Sequence, residues 1–149
     1  MKRTLLLLTA SLAAGTAFAG EHASRLPANA TYRDECGTCH VPYPPRLLPA
    51  ESWQRLMADL PHHFGSDASL EPPVRQALAA WLDANAGRKR TEAPPQDRIT
   101  KTAWFEREHR EVPADGWRRA AVKSAANCSA CHPGAAQGDY DEHGVRIPR

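Results

Sequence analysis

The chain has 149 residues, a formal net charge of +2 at pH 7, and 13 prolines. This length allows one ordinary domain or two very small ones, and small cores need covalent or metal staples. The charge is close to balanced, which gives no support for nucleic-acid binding, because that function usually shows a clustered basic excess.

The N-terminus has the pattern of a secretory signal peptide, which we predict to be residues 1–19. Lys2 and Arg3 precede an uncharged apolar stretch from Leu5 to Phe18, and Ala17-Phe18-Ala19 resembles a cleavage site. The apolar stretch of about 15 residues is shorter than the roughly 20 that a spanning helix needs. We therefore predict an exported protein, with an uncleaved membrane anchor as the weaker alternative.

One short motif occurs twice and uses all four cysteines of the chain: Cys36-Gly-Thr-Cys39-His40 and Cys128-Ser-Ala-Cys131-His132. Two thiols at this spacing lie on one face of a helical turn, where both can add to the vinyl groups of one porphyrin. The histidine that follows can then reach the iron. The motif is that of c-type haem attachment. We therefore predict two covalently bound haem c groups, with the four cysteines as attachment points and the two histidines as iron ligands.

Two other uses of the cysteines compete with haem attachment: a zinc site built from both Cys-x-x-Cys pairs, and a pair of disulfides. Neither explains why a histidine follows the second cysteine both times. Covalent haem is normally attached on the outer side of the bacterial inner membrane, so the motif and the export signal both predict a periplasmic location.

The sequence between and around the motifs predicts a mainly α fold with much irregular structure. Apolar residues recur at helical spacing in 50–59 and 71–85, and further helices are expected at 102–110 and 116–127. A polar stretch, Gly87 to Asp97, contains Pro94-Pro95 and suggests a boundary. We predict two small haem-binding lobes, residues 20–90 and 91–149. No stretch alternates as a strand does, so at most a short β-hairpin is expected near the C-terminus.

The function depends on what binds each iron on its far side. Met57 is the one methionine outside the signal peptide, and its place on an apolar helical stripe favours a core residue. Five further histidines are available as ligands: His22, His62, His63, His109 and His143. His63 precedes Phe64-Gly65, an aromatic that can pack on a porphyrin and a glycine that permits a turn. His109 follows Phe105 by four residues on one predicted helix face, and His143 is the second choice.

An ordered set of residues resembles the small dihaem cytochromes c of the DHC type from proteobacteria. Besides both haem motifs it includes Tyr43-Pro44-Pro45, Ser52-Trp53, His63-Phe64-Gly65, Trp104-Phe105, His109 and the Ile147-Pro148 end. The resemblance implies one low-spin haem with two histidine ligands in each lobe, haems that lie close together and roughly perpendicular, and an unusual C-terminal fold. It supports His63 and His109 as the distal ligands. Our hypothesis pairs His63 with the first haem and His109 with the second.

Two histidines on each iron, without methionine, imply a low reduction potential, so the expected role is low-potential electron transfer rather than catalysis. The resemblance suggests a membrane cytochrome b or quinol-oxidising protein as donor. It suggests another small c-type cytochrome, such as an oxygen-binding one, as acceptor. A dihaem redox enzyme of the peroxidase kind, or a haem-based gas binder, is the alternative, and either would need one open iron site.

Overall fold

The computed structural model describes residues 27–88 and 92–149. The predicted signal peptide, His22 and the predicted boundary between residues 90 and 91 lie outside the described residues. The described part has four α-helices: α1 Ala30–Cys36, α2 Ala50–Ala58, α3 Pro72–Asn85 and α4 Ala103–Glu108. Short 3-10 turns connect them, and the described ranges contain isolated β-bridges but no strand. The mainly helical, irregular fold class is confirmed.

Two of the first three helices begin where the local sequence favours a helix start. The side chain of Asn29 caps α1 by accepting a hydrogen bond from the backbone N–H of Tyr32 at 2.9 Å. Pro72 and Pro73 open α3, where the first N–H groups would have no partner inside the helix. The helices predicted at 50–59 and 71–85 are present as α2 and α3, within one residue of their expected ends.

The largest apolar core lies in the N-terminal part, which we define as residues 27–88. Its buried members come from the first three helices and the segments between them: Tyr32, Leu48, Trp53, Met57, Leu60, Leu78 and Leu82. The indole N–H of Trp53 donates to the carbonyl of Pro45 at 2.6 Å, which satisfies its one polar group inside this core. Met57 is 5% exposed, so its prediction as a core residue is confirmed.

Gly87 closes this part of the chain after α3. Its backbone N–H donates to the carbonyl of Leu48 at 2.8 Å. A Cβ atom here would lie 2.7 Å from the carbonyl oxygen of Arg46, so the close approach of the two backbones requires glycine.

The C-terminal part, residues 92–149, has one short helix and many turns. α4 forms within the region predicted as 102–110. The prediction of a helix at 116–127 is wrong. Only a 3-10 turn forms at Gly116–Arg118, and Lys123 has a left-handed φ of 66°, which an α-helix cannot include. The tail has 3-10 turns at Ala135–Gln137 and Glu142–Gly144, so the hairpin considered for it does not form. Within residues 27–88 and 92–149, no helix is both long and apolar enough to cross a membrane.

Candidate haem-binding sites

The first Cys-x-x-Cys-His motif begins at the last residue of α1. Cys36 is half-buried and Cys39 is exposed, and both are free thiols. Burial, with a smaller effect from Glu35, raises the pKa of the Cys36 thiol to about 11. This thiol is therefore neutral at pH 7 and is not set up as a thiolate nucleophile or metal ligand.

His40 follows these thiols with one ring nitrogen already engaged. Its Nδ1 lies 2.7 Å from the carbonyl of Val41, to which it can donate, and this leaves Nε2 for a metal. The ring of Tyr43 stacks on the imidazole with centroids 4.6 Å apart. These two contacts fix the orientation of the His40 ring.

His63 faces His40 at the separation that an axial pair needs. Their ring centroids are 6.3 Å apart and their planes differ by 23°. Two metal–nitrogen bonds of about 2 Å, with about 1.2 Å more from each nitrogen to its ring centroid, put the centroids of two axial imidazoles roughly 6 Å apart. The gap between these rings therefore fits one metal ion.

The second motif lies in a 3-10 turn, Cys128–Ala130, rather than at the end of an α-helix. The backbone N–H groups of Cys131 and His132 both donate to the carbonyl of Cys128, which curls the motif as a helical turn would. Burial raises the pKa of the Cys128 thiol to about 11, so this thiol too is neutral at pH 7.

His109 and His132 form a second facing pair. Their ring centroids are 6.1 Å apart, and their planes are nearly perpendicular at 74°. His109 lies at the end of α4, where its Nδ1 is 2.9 Å from the carbonyl of Phe105 and its ring stacks on the Phe105 ring at 4.0 Å. Trp117 contacts the same imidazole. A cavity of about 380 Å³ adjoins these side chains.

Burial lowers the pKa of His63 and of His132, and in each case a histidine of its own pair adds to the effect. A lowered pKa keeps the imidazole neutral at pH 7. Neutral imidazole is the form that binds metals. The electrostatics of His63 and His132 therefore suit ligation.

The other candidate histidines lie elsewhere. The side chain of His62 is 79% exposed and pairs with Asp59, and that of His143 is 85% exposed and pairs with Asp141. A zinc site formed from both cysteine pairs is also unsupported. In the part of the chain that the structure describes, no three His, Cys, Asp or Glu side chains converge on one point, and all four cysteines are free.

The residues present fit two haem groups. Each facing imidazole pair has a Cys-x-x-Cys motif directly before one of its histidines, as covalent attachment requires. Three buried polar side-chain atoms have no partner among the described residues: His63 Nδ1, His132 Nδ1 and the hydroxyl of Tyr140. Sequence reasoning gave no role to Tyr140, because nothing in its local pattern indicates that its ring contacts His132.

Comparison with known proteins agrees with this geometry. The family model for dihaem cytochrome c matches residues 32–140. The structure is similar to a dihaem cytochrome type c from Shewanella baltica OS155, with a TM-score of 0.72 and 40% identity over 83% of this chain and 95% of that one. It is also similar to DHC purified from Rhodobacter sphaeroides, with a TM-score of 0.68 and 42% identity over 77% and 99%. None of the curated proteins compared with the chain matches it.

Proposed function

Because the chain belongs to the dihaem cytochrome c family, we propose that it is a periplasmic carrier of electrons at low potential. Two covalently bound haem c groups are the cofactors of this family, and the chain has the thiols for both. The protein is therefore a haem-based redox protein. The location, the potential and the ligand set are the parts that we propose.

The proposed ligand set has two histidines on each iron. Thioethers at Cys36 and Cys39 hold the first haem, with His40 and His63 as its ligands. Thioethers at Cys128 and Cys131 hold the second, with His132 and His109 as ligands. The observation that carries the proposal is the centroid separation of 6.3 Å in one pair and 6.1 Å in the other.

Each haem, when bound, supplies an iron that gains and loses one electron. The protein residues supply ligands and orientation. The carbonyls of Val41 and Phe105 accept from His40 and His109, which fixes one ring in each pair. Methionine ligation would raise the reduction potential of a haem, but the side chain of Met57 is buried in the apolar core. The proposed potential is therefore below that of a cytochrome with histidine and methionine ligands.

An enzyme or gas-binding role would need one iron with an open position. The described structure instead supplies a facing imidazole at each motif, which favours the electron carrier. As partners we propose a membrane cytochrome b or quinol-oxidising protein as donor and a small c-type cytochrome, of the oxygen-binding kind, as acceptor. Both partners and the export route rest on the family resemblance and the N-terminal sequence.

The test is the electron paramagnetic resonance (EPR) spectrum of the oxidised holoprotein, with spins counted against two haems per chain. We expect two low-spin signals and no high-spin signal. Near-perpendicular axial imidazole planes leave two iron d orbitals almost equal in energy. The imidazole planes of His109 and His132 are 74° apart, so the second haem should give the more anisotropic signal. Those of His40 and His63 are 23° apart, so the first haem should give an ordinary rhombic signal. A high-spin haem in the wild type would favour the enzyme or gas binder instead.

Ligand variants test the assignment. We expect His63→Ala to convert only the first haem to high spin and His109→Ala to convert only the second, because each change removes one iron ligand. His62→Ala and His143→Ala are the matched controls, since both side chains are exposed and paired with carboxylates. They should leave both signals low-spin. An unchanged spectrum in either ligand variant would remove that histidine from the ligand set.

A further inference from the structure

The four proposed iron ligands differ in what their second ring nitrogen contacts. His40 Nδ1 and His109 Nδ1 each have a backbone carbonyl within 2.7 and 2.9 Å. His63 Nδ1 and His132 Nδ1 are buried and have no partner among the described residues. A metal-bound histidine almost always donates its other ring N–H to an acceptor, which fixes the ring and makes it a stronger ligand. Two of the four ligands therefore lack this acceptor.

Tyr140 lies beside one of these two ligands. Its ring centroid is 5.4 Å from that of His132, with the planes inclined by 60°. Its hydroxyl is the third buried side-chain atom without a partner in the described part of the chain. A buried polar atom without a partner is unfavourable. Here two such atoms, an N–H donor and an oxygen with free lone pairs, belong to side chains in ring contact.

The backbone between these two residues brings them together by a compact turn. His132 and Ala135 each accept a backbone hydrogen bond from the residue three positions later, at Ala135 and Gly138. Gly138 has a left-handed φ of 75°, which a residue with a side chain would strain to adopt. The N–H of Asp139 then donates to the carbonyl of Gly134 at 3.0 Å. The chain is thus turned back so that Tyr140 lies against His132.

We propose that Tyr140 is a positioning residue for the second haem: its phenolic oxygen accepts the hydrogen bond of one buried water, and that water in turn accepts from Nδ1–H of His132. The proposal rests on the ligand set above, since it takes His132 as an iron ligand through Nε2. A water suits the site because it can join two buried polar atoms that otherwise have no partner. The bond increases the electron donation of His132 to the iron and so favours the ferric state of the second haem.

Tyr43 provides a matched comparison at the first haem. Its ring also contacts the motif histidine, with centroids 4.6 Å apart. Its hydroxyl, however, already donates to the carbonyl of Ala126 at 2.8 Å, and His40 has its own acceptor in Val41. Removing the two hydroxyl groups should therefore have different effects on the two irons.

The experiment compares wild-type, Tyr140→Phe and Tyr43→Phe holoproteins by redox titration and EPR. We expect Tyr140→Phe to raise the midpoint potential of the second haem, to shift its low-spin signal and to leave the first haem unchanged. Tyr43→Phe keeps the ring against His40 and should leave the potential of the first haem unchanged, because the carbonyl of Val41 still accepts from His40. Unchanged potentials in Tyr140→Phe, or equal shifts of both haems, would overturn the proposal, because a merely structural tyrosine gives no change specific to one haem.

A second measurement uses wild-type protein and does not depend on a variant that folds. In the oxidised protein, the paramagnetically shifted NMR resonance of the His132 Nδ1 proton should exchange with deuterated water more slowly than that of His63, because both atoms are buried but only the His132 proton is held by the proposed acceptor. Fast exchange would overturn the proposal. A high-spin second haem in the wild type would instead refute the ligand set, so failure of the ligand set and failure of the Tyr140 proposal give different results.

Discussion

Phe64 and Gly65 form the turn that follows His63, and both have positive φ angles, 51° and 95°. The N–H of Ser66 donates to the carbonyl of His63 at 3.1 Å and closes this turn. A bulky residue at positive φ is strained and persists only where its surroundings hold it. The guanidinium of Arg98 lies 4.4 Å from the centroid of the Phe64 ring, and this contact helps to hold it.

A side chain at Gly65 should be destabilising, although there is open space around this residue. A Cβ atom would meet nothing within 4 Å, so the cost of Gly65→Ala is conformational: about 1–2 kcal/mol of unfolding free energy for the left-handed backbone. Chemical denaturation of the holoprotein measures this loss, and EPR should show partial high-spin character at the first haem as His63 loosens.

Gly144→Ala is the control for this change. Gly144 also has nothing within 4 Å of a Cβ atom, but its φ is not positive. Its substitution should change the unfolding free energy by no more than about 0.5 kcal/mol. Equal stability losses in the two variants would mean that backbone conformation is not what restricts Gly65.

Neighbouring residues and the family resemblance favoured His63 and His109 as ligands, and residue spacing alone was enough to predict both haem motifs. It could not predict the partners of the ring nitrogens, because a backbone carbonyl such as that of Val41 has no sequence signature. The contact of Tyr140 with a proposed iron ligand could not be predicted for a related reason. Its contact with His132 depends on the turn at Gly138, which forms only in the folded chain.

α4 is the element that presents His109, and at six residues it is too short to be stable by itself. Thr102 caps it: the hydroxyl oxygen accepts from the backbone N–H of Phe105 at 3.0 Å and donates to the carbonyl of Ile99 at 2.9 Å. Thr102 is also buried, so both hydrogen bonds are shielded from water. The position of His109 therefore depends on one side chain at the other end of the helix.

Thr102→Ala should destabilise the holoprotein by about 1–2 kcal/mol, because it removes the cap and leaves buried backbone groups without partners. Thermal unfolding measures the loss. Thr102→Ser is the matched control, since it keeps the hydroxyl and should retain most of the stability. If both variants unfolded at the same temperature, the cap would not be what stabilises α4.

The helices show which elements a sequence pattern can predict. α3 buries Leu78 and Leu82 against the core, and its apolar stripe was visible as helical periodicity. A helix was also expected at 116–127, but this segment buries only Gly116 and Val122. A helix forms in a protein mainly because a continuous apolar face packs on something. Without such a face, turns that aim Trp117 at His109 form instead.

At the scale of the molecule, the N-terminal and C-terminal parts are tied by contacts between residues distant in sequence. The hydroxyl of Tyr43 donates to the carbonyl of Ala126 at 2.8 Å. Arg55 donates to both carboxylate oxygens of Asp97, at 2.9 and 2.6 Å, and these bonds hold the pKa of that carboxyl below its usual range. Ile99 packs against the core of the N-terminal part. The segment that begins the C-terminal part is therefore anchored to the N-terminal part.

The two parts differ in how much apolar core they bury. Seven of the buried hydrophobic residues of the described chain form the core of the N-terminal part. In the C-terminal part they are only three: Phe105, Val122 and Ala135. A small domain with so little core needs a covalent or metal staple to fold. The C-terminal part should therefore depend on its haem more strongly than the N-terminal part does.

Paired cysteine variants test this asymmetry. Cys128→Ser with Cys131→Ser prevents covalent attachment of the second haem, and Cys36→Ser with Cys39→Ser prevents that of the first. We expect the loss of Cys128 and Cys131 to expose residues 103–149 to limited proteolysis at once, while the core around Trp53 stays protected. In the variant without Cys36 and Cys39, cleavage of the N-terminal part should be slower than cleavage of the C-terminal part in the other variant, because seven buried side chains still pack together. Equal protease sensitivity of the two parts in both variants would mean that the apolar core does not stabilise the N-terminal part independently of haem.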